Sequence, residues 1–164
     1  MTSSAPVSAQ AAIDIAADAR EAWTVVADIA SWPTWNPAIR HAVCEDELEV
    51  GTKFRFSTEI GTLKCRVTAI DAPRSLSWKG RLLVLGERQT WHFEPTPQGV
   101  RVSVIAEMTG LAARLFRRRL QTRLQDVMDA LVQLLRLEAE ARSTEEREDA
   151  ARLTAAEGAT PPHG

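Results

Sequence analysis

The chain has no tyrosine, three histidines and two cysteines in 164 residues, and no apolar run near the roughly 20 residues that a membrane-crossing helix requires. Each shortage removes a class of function. The cysteines, Cys44 and Cys65, form no Cys-x-x-Cys pair, and no histidine stands at metal-ligand spacing, so we expect no metal site and two buried free thiols. Residues 1–6 lack the basic start and apolar stretch of a secretory signal, which predicts a cytoplasmic protein. Twenty Lys and Arg against 22 Asp and Glu leave a net charge of −2, giving no general attraction to nucleic acid. What is present is ordinary globular material: 45% hydrophobic and 26% charged residues, in a length suited to one domain with frayed ends.

Ala11, Ile13 and Ile15 alternate with polar or small residues, predicting a first strand over 9–15. Asp18 and Glu21 then stand at capping-box spacing before Ala22, Val25, Val26 and Ile29, which recur at helical intervals. Two prolines within Trp32 to Pro37 exclude a regular helix there and predict a compact turn that buries its tryptophans, with Asn36 bonding its own backbone. Alternation returns at Thr52 to Ile60, where Phe54, Phe56, Thr58 and Ile60 share one face and Lys53, Arg55, Ser57 and Glu59 the other. Gly61 and Thr62 are read as the turn into Leu63 to Ile70, where Leu63, Cys65 and Val67 oppose Lys64, Arg66 and Thr68. Leu76 and Trp78 begin the next strand. Leu82 to Glu94 reads as one long strand with Leu83, Leu85, Gln89, Trp91 and Phe93 in phase, and Val100 to Met108 as the last. His41 and His92 fall on the solvent side by parity.

From Leu111 the period changes. Leu120, Leu124, Val127, Met128, Leu131, Leu134 and Leu135 recur at three- and four-residue intervals and draw one apolar stripe on a helix of roughly seven turns. The only large apolar surface available to it is the inner face of the sheet. The predicted fold class is therefore α+β: a curved antiparallel sheet of about seven strands wrapped around a long C-terminal helix, with two short helices after the first strand. Residues 1–8 are expected to be a flexible N-terminus, 9–141 the single domain, and 142–164 a charged tail, either solvated helix extension or disorder.

Over 9–141 the chain resembles the polyketide cyclase/dehydrase and lipid-transport family, within the START and birch-pollen-allergen-like (SRPBCC) superfamily. The resemblance lies in Ala16 to Asp28, which looks like the family's opening helix, in the Trp32-Pro33-Thr34-Trp35-Asn36-Pro37 turn, in Leu76 and Trp78, and in Gly110 to Phe116. It implies the helix-grip fold and a cavity for lipids, steroids, polyketides or other aromatics between sheet and helix. These are packing motifs, and no catalytic residue is assigned from them. Relatives often place a histidine two residues before the aromatic of the sixth strand, where this chain has Gln89, and an acid facing the cavity from the last strand, where Glu107 has the opposite parity.

The expected lining is Trp35, Phe54, Phe56, Cys65, Val67, Trp78, Gln89, Trp91, Phe93, Val104, Met108, Leu124, Met128 and Leu131: aromatic and soft, suited to a planar or flexible apolar ligand and equally to a filled core. Without tyrosine, the polar candidates reduce to Thr58, Glu87, Arg88, Gln89, Thr90 and Glu107. Binding of a small hydrophobic molecule is the leading expectation. A polyketide aromatase or cyclase using the same cavity and a protein-interaction module with a filled core are the alternatives. No cofactor, no nucleic acid and no stable membrane insertion are expected. Arg117, Arg118 and Arg119, beside Leu115 and Phe116, suit a transient membrane-surface contact, and a homodimer is left open.

Overall fold

A computed structural model describes residues 5–159. Seven antiparallel strands form one sheet: β1 (Val7–Ile15), β2 (His41–Cys44), β3 (Lys53–Thr58), β4 (Gly61–Asp71), β5 (Ser75–Leu82), β6 (Leu85–Thr96) and β7 (Gly99–Thr109), in the order β1-β7-β6-β5-β4-β3-β2. After β1 come α1 (Ala19–Ala27), a single 3-10 turn over Ile29–Ser31 and the one-turn α2 (Trp32–Trp35). The chain ends in α3 (Leu111–Leu115) and the 42-residue α4 (Arg117–Gly158). This is the predicted helix-grip architecture.

The capping box is present: Asp18 Oδ1 accepts from the Glu21 amide at 2.8 Å, and the Glu21 carboxylate accepts from the Asp18 amide at 2.8 Å. Asn36 Oδ1 accepts from the Ala38 amide, as its place in the turn predicts, and Trp32 Nε1 donates to the Val26 carbonyl at 2.9 Å. Helix α4 runs along β1, the exposed edge of the sheet. Gln121 takes both backbone groups of Ser8, Gln125 Nε2 donates to the Gln10 carbonyl at 2.8 Å, and Glu140 accepts from the Ala16 amide at 3.0 Å. Side chains of the helix thus occupy the hydrogen-bonding groups that an edge strand leaves open. Its buried stripe is Leu124, Met128, Val132, Leu135, Ala139 and Ser143.

Several boundaries differ from expectation. Strand β1 starts at Val7, which is fully buried, and Ser8 pairs with Glu107, so these two residues belong to the sheet rather than to a flexible terminus. Residues 1–4 lie outside the described residues. The β3–β4 turn is Glu59–Ile60, with Gly61 (φ +134°) opening β4, so Ile60 leaves the apolar face and is exposed. The long strand expected over Leu82 to Glu94 is two strands joined by the turn Leu83–Val84, because apolar side chains there hide the hairpin that glycine or asparagine would announce.

The terminal helix breaks once at Phe116 and then continues to Gly158, so the stretch from 142 onward is helical as far as it is described. Ser143 is buried, and Glu146 hydrogen-bonds Glu21, which raises its pKa. Val127 faces solvent and Val132 replaces it in the stripe, since the 3.6-residue helical period drifts across a seven-residue pattern. Residues 160–164 lie outside the described residues.

Candidate functional site

The inner face of the sheet is a wall of rings. Trp32 of α2 meets Phe54, Phe56 and Trp78 at centroid distances of 5.8, 5.4 and 5.5 Å. Trp78 stacks beside Trp91 at 6.3 Å, Trp91 beside Phe93 at 6.4 Å, and Trp23 of α1 closes the row edge-on against Phe93 at 5.5 Å. Register produces this continuity, because β4, β5 and β6 place Val67 opposite Trp78 and Trp78 opposite Gln89. Among the expected lining residues, Trp35, Phe54, Phe56, Cys65, Val67, Trp78, Gln89, Trp91, Phe93, Val104, Leu124 and Met128 are buried, and Met108 and Leu131 are half-buried.

One polar line crosses this wall. On β6, Trp91 Nε1 donates to Gln89 Oε1 at 3.2 Å, and Gln89 Nε2 donates to Glu87 Oε1 at 2.5 Å. Glu87 stands opposite Gly80, whose missing side chain leaves a gap. The Cys65 thiol leans over the same gap: a Cβ on Gly80 would lie 2.6 Å from its Sγ. Burial pushes the Glu87 pKa up, and the bond from Gln89 offsets only part of that. Burial, reinforced by the Glu87 charge, also pushes the Cys65 thiol far up, which removes it as a thiolate nucleophile. A carboxyl held toward its neutral form donates a hydrogen bond, and this one is half-buried at the border of a concavity.

Two further donors wait in the same interior. Trp35 Nε1 and Trp78 Nε1 are buried without a hydrogen-bond partner. Nothing in the residue order announces them, since an indole in a strand or turn reads only as bulk. Of the polar candidates, Glu87 and Gln89 point inward. Arg88, Thr90 and Glu107 project from the opposite face, and Thr58 bonds the Gly61 carbonyl of its own hairpin. Neither thiol is in a disulfide, His41 and His92 are exposed, and no cluster among the described residues would hold a metal ion. No described helix is long and apolar enough to cross a membrane.

A concavity of about 1060 Å³ is bordered by Phe54, Cys65, Gly80 and Glu87 together with their outward-facing neighbours. Residues 53–55, 64–66, 79–81 and 86–88 line it, and the first and last of each triplet project away from the ring wall. Two rows cross the strands there. Lys53, Arg66, Lys79, Arg88 and Glu107 form one, and Arg55, Lys64, Arg81, Gly86 and Thr109 the other. Seven cations therefore face one another across four strands, and among the described residues none of the seven is in an ion pair. Only Phe54 and Cys65 of the expected lining border this concavity.

A search of the curated proteins finds no significant match. Solved structures share the fold at low identity. A protein from Thermus thermophilus, TTHA0849, superposes with a TM-score of 0.70 at 15% identity, covering 83% of this chain and 99% of that one. A START superfamily protein from Mycobacterium smegmatis gives 0.63 at 16%, covering 84% and 97%. The di-domain ARO/CYC StfQ of the steffimycin biosynthetic pathway gives 0.69 at 19%, covering 84% of this chain and 52% of StfQ. The family model described as polyketide cyclase/dehydrase and lipid transport matches residues 6–136. Most of the chain, from the first strand through the ring wall into the long helix, thus lies within that match, and the protein belongs to the polyketide cyclase/dehydrase and lipid-transport family.

Proposed function

We propose that the chain binds a small, largely apolar molecule that carries a carbonyl or hydroxyl oxygen, held between the inner face of the sheet and helices α2 and α4. The observation that carries this reading is the pair of buried indole donors, Trp35 Nε1 and Trp78 Nε1, that have no hydrogen-bond partner among the described residues. Native interiors satisfy nearly all such groups, and a ligand oxygen would satisfy these. Phe54, Phe56, Val67, Trp91, Phe93, Val104, Met108, Leu124, Met128 and Leu131 supply the apolar contact, worth about 25 cal/mol per Å² buried. Trp32 of α2 packs on Phe54, Phe56 and Trp78, so a ligand that reaches the ring wall would displace α2.

Thermal-shift and native mass-spectrometric screens of the full chain with fatty acids, sterols and aromatic polyketides test this. One class should raise the melting temperature, and Trp78→Phe, which keeps a ring but removes the N–H, should weaken its binding about tenfold in a variant that still folds. Failure of every class would sink the reading and leave the packed rings as a filled core, as the interaction-module alternative requires. The cyclase alternative draws on the same Glu87 acid and on the likeness to StfQ. It predicts that Glu87→Gln keeps binding and loses turnover of a polyketide substrate.

A further inference from the structure

We infer that the end of the molecule formed by the β3–β4 turn, the β5–β6 turn and the α3–α4 junction docks on an anionic lipid bilayer. The proposal is independent of what the grip holds. Six of the eleven large apolar side chains that the described structure leaves exposed, Ile60, Leu83, Val84, Leu111, Leu115 and Phe116, lie at this end. The turns are neighbours: a Cβ on Gly110 would meet the Val84 carbonyl at 2.3 Å, and one on Gly61 would meet Leu82 Cδ1 at 2.9 Å. Two-residue hairpin turns normally carry asparagine, aspartate or glycine. Here they carry Glu59–Ile60 and Leu83–Val84, with Leu83 held at φ +52° and 86% exposed. A bulky apolar residue in that backbone region gains nothing from water or from the fold, whereas insertion into acyl chains would bury it.

Charge agrees with this orientation. Arg55, Lys64 and Arg81 flank the turns on the outer face of the sheet, and the second cationic row lies one strand repeat behind them. On the other side stand Arg114, Arg117, Arg118 and Arg119, all exposed. One acid, Glu59, lies in the β3–β4 turn and is paired with Arg123 at 3.7 Å, whereas Glu145, Glu146, Glu148 and Asp149 lie on the later turns of α4. Cations outnumber acids at this end although the whole chain carries a net charge of −2, and an anionic surface would turn its apolar tip inward. The contact expected of Arg117, Arg118 and Arg119 becomes one edge of a larger surface whose centre is Leu83 and Val84.

Cosedimentation of the full chain with phosphatidylcholine vesicles, with and without phosphatidylglycerol, tests the proposal. The protein should partition onto the anionic vesicles at low salt and stay in solution with the neutral ones. Leu83→Asn combined with Val84→Asp suits the turn better than the native pair, so the variant should fold, and it should lose binding about tenfold. Replacing Arg117, Arg118 and Arg119 by glutamine should lower binding at least as far and weaken its salt dependence. Equal binding to both vesicles, or anionic binding untouched by the turn variant, would overturn the proposal. So would capture of short RNA, with no vesicle binding, that is lost on Arg66→Gln with Lys79→Gln, since the outer face would then be a nucleic-acid site.

Discussion

Strands β3 to β6 carry two surfaces of opposite chemistry. Inward, Phe54, Cys65, Trp78 and Trp91 are almost wholly buried, and the three aromatic side chains meet ring to ring. Outward, Lys53, Arg66, Lys79 and Arg88 stand in a row with no partner. The contrast extends along the outer face itself, because on the neighbouring strands Arg101 and Asp14 are directly opposed and bonded at 2.9 Å. Like charges placed opposite each other across strands oppose pairing, so the inner face must supply the stability that the outer face withholds. This sheet is stabilised on one side and carries opposed cations on the other.

The largest effect expected from breaking that division is on the inside. Trp78→Ala should cost about 3–5 kcal/mol in denaturant unfolding, since it removes the ring shared by Trp32, Phe54 and Trp91. Gly80→Ala comes next, at roughly 1–3 kcal/mol, because its methyl would meet Cys65 Sγ at 2.6 Å. Adding Cys65→Ala should recover part of that loss, and absence of any coupling between the two would show that the gap beside Glu87 is not shared.

Glu87 gives a pH signature for the same interior. Its folded pKa is raised, so between the ordinary carboxyl value and that raised value the folded state binds more protons than the unfolded one. Stability should therefore be fullest at acid pH and fall as pH rises through the folded pKa. Glu87→Gln, whose amide oxygen can still accept from Gln89, should flatten this slope and add roughly 1 kcal/mol at neutral pH in urea melts. A wild-type slope unchanged by the substitution would place the titrating group elsewhere.

The smallest effects belong to the outer face. Lys79→Ser should change stability by no more than about 0.5 kcal/mol, in the stabilising direction, whereas Arg101→Ser should cost up to about 1 kcal/mol through loss of its partner. Added salt should stabilise the wild type and do so less in Lys79→Ser, because screening then has less repulsion to relieve.

Much of this was legible beforehand. The capping box of Asp18 and Glu21, the alternation of Phe54, Phe56 and Cys65 against lysine and arginine, and the stripe through Leu124 and Met128 each state a local period that packing then obeys. Leu83–Val84 escaped because its turn carries apolar residues, and the helical continuation past 141 because charge alone does not separate a solvated helix from an unstructured tail. Glu87 and Gln89 shared a readable parity, but only the fold joined the carboxyl to the Gln89 amide and that amide to the Trp91 indole.

The sequence by itself determined which face each residue takes, since a period of two or of 3.6 is a property of neighbours along the chain. Only the tertiary structure decided what meets what. Strand register is set by turns and by burial across the whole sheet, and it alone aligned seven separate cations into two rows, left two indole N–H groups without acceptors, and brought three apolar turns to one end.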